Sequence, residues 1–263
     1  MTKQIPLLAF TIAGPMGHFR KFYSNTSALT YPFPPHTTLM GLIAGLLGEE
    51  RDTYYETLAS ERLWIAVRMS TPVRIRTYTV NYLFTKNNKI YDKGQGTQIP
   101  VGWVLPRPPA RVLHYRVYIS TPDISLWERL RDIFSQRRFH WPPYLGITEA
   151  LAWIERDVWV GEVPYCRCEE PILLGTPVIC HPKMKLRLDK NQTVHLLLDR
   201  FTLDMCGKPY RSPRKTVEIL YEAEGRPFRI CLPYPVFPLP GESGKEEKIF
   251  GAFFREDKEG TEP

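Results

Sequence analysis

Positive charge is concentrated in one segment of this 263-residue chain. Residues 68–116 contain nine lysines and arginines against a single acidic residue, Asp92, which gives the segment a formal charge of +8. Residues 1–67 hold five basic and five acidic residues, and residues 117–263 hold 21 basic and 22 acidic ones. Such a concentrated positive field favours a polyanionic partner, most often nucleic acid or a membrane surface. A solvated basic loop is the alternative that charge alone leaves open.

Aromatic residues interleave with these cations. They are Tyr78, Tyr82, Phe84, Tyr91, Trp103 and Tyr115. Cations neutralise phosphates, and aromatic faces stack on unpaired bases, so the combination is typical of single-stranded nucleic-acid binding. Because alternate residues of a strand share a face, both residue types can lie in register. The alternative is an ordinary hairpin with its aromatic residues in the core and its charge outside.

A second candidate site is the first loop, His18–Asn25, which reads HFRKFYSN. It sets two adjacent cations, Arg20 and Lys21, among aromatic, hydroxyl and amide side chains directly after a predicted strand. Such groups can contact the phosphate and sugar oxygens of a nucleic acid. The alternative is a surface loop that covers the edge of the core.

Catalytic groups are less well defined. A metal-independent ribonuclease needs a base, an acid and a cation near a ribose 2′-hydroxyl, and histidine, tyrosine and lysine commonly serve. His18, His36, His114 and Tyr23 lie in or near the basic region, but no spacing connects them. The sequence has neither a phosphate-cradling motif nor a dinucleotide fingerprint, so no cofactor is predicted.

The cysteines raise the question of zinc. A zinc site could be assembled from Cys166, Cys168, Cys180, His181 and Cys206. The C-x-C spacing departs from the usual C-x₂₋₄-C knuckle, so small buried apolar residues are the favoured interpretation and no metal is predicted. The odd total of five cysteines argues against a disulfide framework and for a reducing compartment, which predicts a cytoplasmic protein.

The composition is that of a folded protein. A hydrophobic content of 43%, with 13% aromatic residues, supports a sizeable core and excludes disorder of the whole chain. No stretch approaches the roughly 18 uncharged apolar residues of a transmembrane helix, so no membrane partner is expected.

Patterning predicts alternating strands and helices in the first part of the chain. Strands are predicted at residues 5–13, 63–69, 77–84, 111–119 and 152–160. One helix is predicted to start at Thr37 or Thr38 and end at Gly48, with Gly41 and Gly45 allowing close approach to a sheet. A second helix is predicted from a capping box of Ser125 and Glu128.

This order approximates the βαββαβ ferredoxin-like pattern of RNA-recognition folds, with the basic hairpin inserted. The predicted class is α+β, with a ferredoxin-like (RRM-like) N-terminal domain at 1–162 and an inserted thumb hairpin. A smaller β-rich region follows at 163–240, with short strands at 172–180, 184–188, 194–203, 215–221 and 227–232. Residues 241–263 are predicted to form a mobile tail, in which Ile249-Phe250 and Phe253-Phe254 could dock against another surface.

Three stretches resemble a known family. The first is Phe19-Arg20 followed by residues 29–48, LTYPFPPHTTLMGLIAGLLG; the others are Leu113–Ile119, LHYRVYI, and Trp141–Ala150, WPPYLGITEA. They are similar to the CRISPR-associated Cas-five family of the RAMP superfamily, the type I Cascade subunit that holds the crRNA 5′ handle. The N-terminal motif is most like that of type I-B relatives.

The resemblance implies a thumb at Thr77–Arg111 that reaches toward a neighbouring backbone subunit and the RNA. It also implies that residues 18–26 and the helix start at His36–Thr38 face the handle. Charge and resemblance together select the RNA-binding candidates: His18, Phe19, Arg20, Lys21, Tyr23, Asn25, His36, Thr37, Arg74, Arg76, Lys86, Lys89, Lys93, Gln95, Arg107 and Arg111.

These observations predict a non-catalytic crRNA-binding subunit of a type I Cascade complex in antiviral defence. Its partners would be the crRNA 5′ handle, the Cascade backbone and large subunits and, indirectly, target DNA. One alternative is a metal-independent endoribonuclease that processes CRISPR repeat RNA; the family that the chain resembles includes a type I-C variant that cuts with Tyr, Lys and His side chains, a trio with no match here. A further alternative is a protein-only scaffold whose basic hairpin meets an acidic partner.

Overall fold

The computed structural model describes residues 3–24, 26–83, 96–187, 193–207, 210–243 and 247–255. Within these ranges it has two helices, α1 (His36–Leu47) and α2 (Ile124–Gln136), and strands in several sheets, which confirms the predicted α+β class. The strands up to the second helix are β1 (Lys3–Gly14), β2 (Phe19–Arg20), β3 (Thr30–Tyr31), β4 (Trp64–Met69), β5 (Val73–Leu83), β6 (Gly96–Pro106) and β7 (Leu113–Ser120). Those after it are β8 (Trp153–Ile154), β9 (Trp159–Tyr165), β10 (Ile172–Leu174), β11 (Val178–Ile179), β12 (Lys185–Leu186), β13 (Leu196–Cys206), β14 (Ser212–Glu222), β15 (Phe228–Cys231), β16 (Phe237–Ser243) and β17 (Lys248–Gly251).

The central sheet has the order β4-β7-β1, and both β8 and β9 pair with the remaining edge of β1. Every pairing in it is antiparallel. Four of the predicted strands, at 5–13, 63–69, 111–119 and 152–160, contribute to this sheet, the last of them split between β8 and β9. The fifth, at 77–84, falls within β5, which pairs with β6 in a separate two-stranded hairpin.

Both helices lie on one face of the central sheet. Their apolar side chains share a core cluster with alternate residues of β1: Leu8, Phe10, Ile12, Leu39, Ile43, Leu126, Leu130 and Phe134. The α1 helix has no side-chain cap at Pro35, so the predicted threonine cap is wrong, whereas Gly48 ends it with φ 78°. In α2 the carboxylate of Asp123 accepts the Leu126 N–H at 3.1 Å, so the cap is Asp123 rather than Ser125.

The predicted role of the two α1 glycines is also wrong. A Cβ built on Gly45 meets no atom within 4 Å, and one built on Gly41 meets only the Tyr54 hydroxyl at 3.3 Å. These glycines therefore face an open groove, of about 400 Å³, that Trp141 and Tyr144 line on its other side. They do not bring the helix close to the sheet.

The opposite face of the central sheet is covered as well. The other set of alternate β1 residues packs with the chain's last strands in a second cluster, which includes Ile5, Leu7, Ala9, Tyr118, Phe237, Leu239, Ile249 and Phe253. Regions 1–162 and 163–240 therefore share a core. The tail predicted from 241 is wrong for residues 248–254, because β17 is paired with β10 and β16, and Phe253 and Phe254 are buried.

The long hairpin β13–β14 lies against α1, where Phe201 and Leu203 join the core of the helical face. At the end of the β13–β14 hairpin where Leu196 pairs with Glu222, the Glu222 side chain is buried, with 3% exposed. The Glu222 carboxylate accepts the backbone N–H groups of His195 at 3.1 Å, Glu224 at 2.8 Å and Arg226 at 2.8 Å. One buried side chain thus satisfies three donors that would otherwise be stranded.

We expect Glu222→Ala to lower the free energy of unfolding by about 3 kcal/mol, because it removes three hydrogen bonds to one charged carboxylate. The measurement is urea unfolding beside Glu218→Gln, which removes an exposed carboxylate from the same strand and is expected to change stability by less than about 0.5 kcal/mol. Equal stabilities for the two variants would contradict this role for Glu222.

Neither described helix has the length and apolar character needed to cross a membrane.

Candidate nucleic-acid interface

The basic hairpin β5–β6 is fixed to the body by the loop that follows β1. The Gly17 N–H donates to the Val104 carbonyl at 2.9 Å, and the Val104 N–H donates back at 2.8 Å. Further along, the Ala28 N–H donates to the Pro100 carbonyl at 2.8 Å, and the Gly102 N–H donates to the Ala28 carbonyl at 2.9 Å. This loop therefore runs along one edge of β6, and β5 lies along the other.

One face of β5 presents arginines and tyrosines in sequence. Because alternate strand residues share a face, Arg74, Arg76, Tyr78 and Tyr82 lie on the same side of β5, and we call them the arginine–tyrosine face. All four are exposed, the two tyrosines by 55% and 47%. No hydrogen bond or ion pair joins either guanidinium to another of the described residues.

Trp103 extends this face onto β6, where it stands directly opposite Arg76. Residues that oppose each other in an antiparallel pair lie on the same side of the sheet. The hairpin thus places cations and aromatic rings side by side, the arrangement that phosphate neutralisation and base stacking require. For Tyr78 and Tyr82, the alternative of aromatic residues packed into the core is wrong.

His18 and Phe19, both predicted to bind RNA, are structural instead. His18 is 4% exposed, and its Nδ1 lies 2.6 Å from the Gly102 carbonyl oxygen of β6. Burial lowers the pKa of His18, against the opposing effect of that carbonyl. Phe19 is 1% exposed and packs edge-on against Tyr115. These two side chains anchor the first loop rather than facing a ligand.

Lys21 and Tyr23 converge on one carboxylate of β13. The Lys21 Nζ lies 2.5 Å from Asp199 Oδ2, and the Tyr23 hydroxyl donates to Asp199 Oδ1 at 2.7 Å. Burial disfavours the charged form of Lys21, but the hydrogen bonds that Lys21 makes with Asp199 and Tyr23 outweigh it and raise the pKa of Lys21. The Tyr31 hydroxyl donates to the next backbone carbonyl, that of Arg200. The first loop is thus fastened to β13, an association that the sequence does not predict.

Two other predicted residues lie at the start of α1. His36 is fully buried, and its Nδ1 lies 2.7 Å from the Leu203 carbonyl oxygen of β13. Its side chain therefore does not face the solvent, and the prediction that it contacts RNA is wrong. Thr37, the next residue, is partly exposed.

The positive charge exposed on the surface of residues 68–116 is smaller than their formal charge of +8 implies. Arg116 is 9% exposed and paired with Asp157 at 2.6 Å, Arg68 is half-buried, and Arg107 is paired with Glu224. Of the predicted RNA-binding arginines, Arg20 and Arg111 are exposed, like the pair on β5. Asn25, Lys86, Lys89, Lys93 and Gln95 lie outside the described residues.

The histidines considered for catalysis are held by separate partners. His18 bonds to Gly102 and His36 to Leu203, whereas His114 Nδ1 lies 3.0 Å from the Thr71 hydroxyl. His114 lines an open polar cleft of about 700 Å³ together with Glu155, whose Oε1 is 4.0 Å from His114 Nε2. None of the three rings contacts another of the three, so they form no shared acid–base pair.

The described residues contain no group of three or more His, Cys, Asp or Glu side chains placed to hold a metal ion. The five cysteines carry free thiols, and burial raises the pKa of both Cys168 and Cys180. The raised pKa values favour the neutral thiol, which is the form in which cysteine acts as a small apolar residue.

The buried His36 predicts an acid-sensitive fold. Burial lowers the pKa of His36, with Asp204 opposing, so the unfolded chain takes up a proton at a higher pH than the folded one. The stabilisation is complete above about pH 6.5 and is lost as the pH falls below it, by up to about 1.4 kcal/mol per pH unit.

Urea unfolding between pH 7.5 and 5.0 measures this loss. His36→Gln is expected to flatten the pH profile, leaving the contribution of His18. The matched variant His195→Gln, in which an exposed ring is replaced, should keep the wild-type profile. An unflattened profile in His36→Gln would show that His36 does not titrate as described.

A family model described as "CRISPR-associated protein (Cas_Cas5)" matches residues 7–105. The match supports a Cas5 family protein. It spans β1 through most of β6, so the first loop, α1 and the basic hairpin all lie within the stretch that is similar to Cas5. No curated protein sequence matches the chain.

A CRISPR protein from Archaeoglobus fulgidus has a similar fold, with a TM-score of 0.55 at 12% identity over 94% of this chain and 99% of that protein. A chain of a CRISPR RNA-guided surveillance complex aligns with a TM-score of 0.42 at 15% identity, covering 85% of this chain and 91% of that one. A further structure, of a Cas protein, aligns with a TM-score of 0.40 at 16% identity, covering 84% and 95%.

The sequence identifies Tyr78 and Tyr82 among the aromatic residues of the basic segment, and the structure places them on the same face of β5 as Arg74 and Arg76. The sequence does not predict that Asp199 contacts the first loop, because Asp199 lies 178 residues from Lys21 in the chain.

Proposed function

We propose that the protein is a Cas5 subunit of a type I CRISPR Cascade complex, of subtype I-B, that binds the 5′ handle of crRNA without cutting it. The observation that carries the proposal is the exposed arginine–tyrosine face, which lies inside the stretch that matches the Cas5 family. Cations for phosphates and rings for unpaired bases stand together there, as single-stranded RNA requires.

The strand order supports a ferredoxin-like N-terminal domain. The elements β1, α1, β4, β7, α2 and β8–β9 follow one another as βαββαβ, and the sheet order β4-β7-β1-β8 places the first and third of these strands at the centre. The hairpin β5–β6 falls between the second and third strands of this pattern, which supports its assignment as the inserted thumb. In this proposal the protein also belongs to the RAMP superfamily.

Because the face of the central sheet opposite the helices is covered, we place the RNA on the thumb. RNA-recognition domains stack bases on the open face of a four-stranded sheet. Here that face is occupied by Phe237, Leu239, Ile249 and Phe253 from the end of the chain. The RNA path therefore follows the arginine–tyrosine face and the exposed Arg20 and Arg111 instead of the sheet.

The remaining partners follow from this role. The thumb would reach the neighbouring backbone subunit, the body would meet the large subunit, and target DNA would be engaged indirectly through the paired guide. Such a complex acts in antiviral defence in the cytoplasm, where five free thiols stay reduced.

Incubation of the purified protein with 5′-labelled repeat RNA in EDTA tests binding and cleavage together. We expect a gel-shifted complex whose RNA is recovered at full length. Unshifted RNA at low salt would contradict RNA binding, and defined shorter products would contradict the non-catalytic role.

The endoribonuclease remains the alternative because of one observation, the polar cleft that His114 and Glu155 share. A histidine and a carboxylate facing one open space could supply a base and an acid. If cleavage products form in EDTA and His114→Ala abolishes them, this alternative replaces the non-catalytic proposal.

A further inference from the structure

Asp199 fills a position that an external anion could occupy. Its Oδ2 accepts from the Lys21 ammonium at 2.5 Å, and its Oδ1 accepts from the Tyr23 hydroxyl at 2.7 Å and from the Arg200 N–H at 2.8 Å. The carboxylate side chain is only 8% exposed. A lysine, a tyrosine and a backbone amide thus surround two anionic oxygens, and all three donors could serve a phosphate equally well.

Open space and further cations adjoin this cluster. A polar cleft of about 300 Å³ is lined by Tyr23, Leu198, Asp199, Arg200 and Glu218. Arg200 is exposed on β13, and Arg20 is exposed at the end of β2, next to Lys21 in the chain. A phosphate entering the cleft would therefore approach Arg200 and the Lys21–Tyr23 pair, together with two carboxylates, Asp199 and Glu218.

We propose that Lys21, Tyr23, Arg20 and Arg200 form a phosphate-binding subsite for RNA, and that Asp199 holds the place of the phosphate in the RNA-free protein. This inference rests on the proposed function. When RNA binds, a phosphodiester oxygen replaces the Asp199 carboxylate on Lys21 and Tyr23, and the carboxylate turns into the cleft.

The exchange is electrostatically reasonable because one anion replaces another. Lys21 is four-fifths buried, with 19% of its side chain exposed, and a buried ammonium without a counterion is costly. Asp199 keeps Lys21 charged and in position in the RNA-free protein. It also competes with RNA, so its removal should strengthen RNA binding.

The test compares the full-length wild-type protein with Asp199→Asn, which keeps the shape of the side chain and removes its charge. The probe is a labelled single-stranded oligoribonucleotide of repeat sequence, and its dissociation constant is measured from 50 to 300 mM salt. We expect Asp199→Asn to bind about five-fold more tightly, equivalent to about 1 kcal/mol. The slope of log affinity against log salt should steepen by about 0.7, as for one additional neutralised phosphate on a single strand.

Two controls distinguish the replacement of the Asp199 carboxylate by a phosphate from a general change in the electrostatic potential of the cleft. Glu218→Gln removes a negative charge from the same cleft without freeing Lys21, and we expect it to leave the salt slope unchanged. Lys21→Ala introduced into Asp199→Asn should abolish the gain. Thermal unfolding of each variant verifies the fold, and Asp199→Ser, a smaller neutral side chain, repeats the test if Asp199→Asn is destabilised.

The outcomes are distinct. Tighter binding and a steeper slope in Asp199→Asn, both abolished by Lys21→Ala, support the subsite. Unchanged or weaker binding by a folded Asp199→Asn, or an equal effect of Glu218→Gln on the slope, overturns the subsite while RNA binding by the wild type stands. Absence of RNA binding by the wild type overturns the proposed function itself and the subsite with it.

Discussion

Replacement of both Arg74 and Arg76 by alanine is expected to weaken RNA binding about 100-fold, because two charge-assisted hydrogen bonds of about 1.5 kcal/mol each are removed. Both guanidiniums are exposed on one face of β5, so their removal should leave the fold intact. The salt slope should become shallower by about 1.4, because each phosphate that is no longer neutralised on a single strand lowers it by about 0.7. Filter binding to repeat RNA at several salt concentrations measures both quantities.

The matched control is Arg129→Ala together with Arg131→Ala. It removes the same charge from α2, on residues outside the hairpin, and Arg129 already has Glu49 as its partner at 2.7 Å. This pair is expected to change affinity by less than about three-fold, because exposed charges outside the binding face act only through a field that physiological salt screens. Equal reductions in the two double variants would show that RNA senses only net charge and does not lie on the arginine–tyrosine face.

Gly146→Ala is expected to have the largest effect on the first loop. Gly146 has φ 91°, and a Cβ at this position would lie 1.9 Å from the His18 carbonyl oxygen. Neither the backbone angle nor the close approach tolerates a side chain, so the segment around Gly146 and the first loop must separate. The hydrogen bond from the His18 N–H to the Leu145 carbonyl, at 3.0 Å, would break as they separate. We expect a decrease of about 3 kcal/mol or more in the free energy of unfolding.

Gly45→Ala provides the comparison, since it makes the same chemical change where the added Cβ meets nothing within 4 Å. Gly45 lies inside α1, so alanine should stabilise the protein by about 1 kcal/mol through helix propensity. Urea unfolding of the two variants should therefore move in opposite directions. A Gly146→Ala variant as stable as the wild type would contradict the described packing of the first loop.

Local patterns predict the elements well where each one's own side chains determine it. The apolar run at residues 5–13 forms β1, and the spacing of Leu126, Leu130 and Phe134 produces the buried face of α2. The basic hairpin follows from cations alternating with aromatic residues and from turn-forming residues between two strands. In these cases the periodicity of burial is a property of neighbouring residues.

Associations between distant residues are not predictable in the same way. The sequence suggests that His36 faces RNA, but Leu203 covers it, and the Lys21 charge is neutralised by Asp199. Both covering residues belong to β13, which lies more than 160 residues further along the chain. A charged or aromatic residue shows its chemistry in the sequence, whereas its burial depends on which later strand packs against it.

The same limit applies to the end of the chain. Its acidic and basic residues suggest a mobile tail, yet the alternating apolar residues of β16 and β17 complete the second core cluster. Phe253 stacks on Phe237 with ring centroids 4.3 Å apart, and Arg255 lies over the Trp64 ring at 4.2 Å. Composition describes the average of this segment, and the few apolar residues within it determine its packing.

Capture of the tagged protein from its native host is the decisive test of the proposal that this protein holds one end of a CRISPR guide RNA. The co-purified RNA is sequenced, with the Arg74→Ala, Arg76→Ala double variant processed in parallel. We expect RNAs that share one repeat-derived 5′ end and are depleted in the variant. Recovery of no RNA beyond a mock purification, or of RNAs without a common 5′ end, would contradict it.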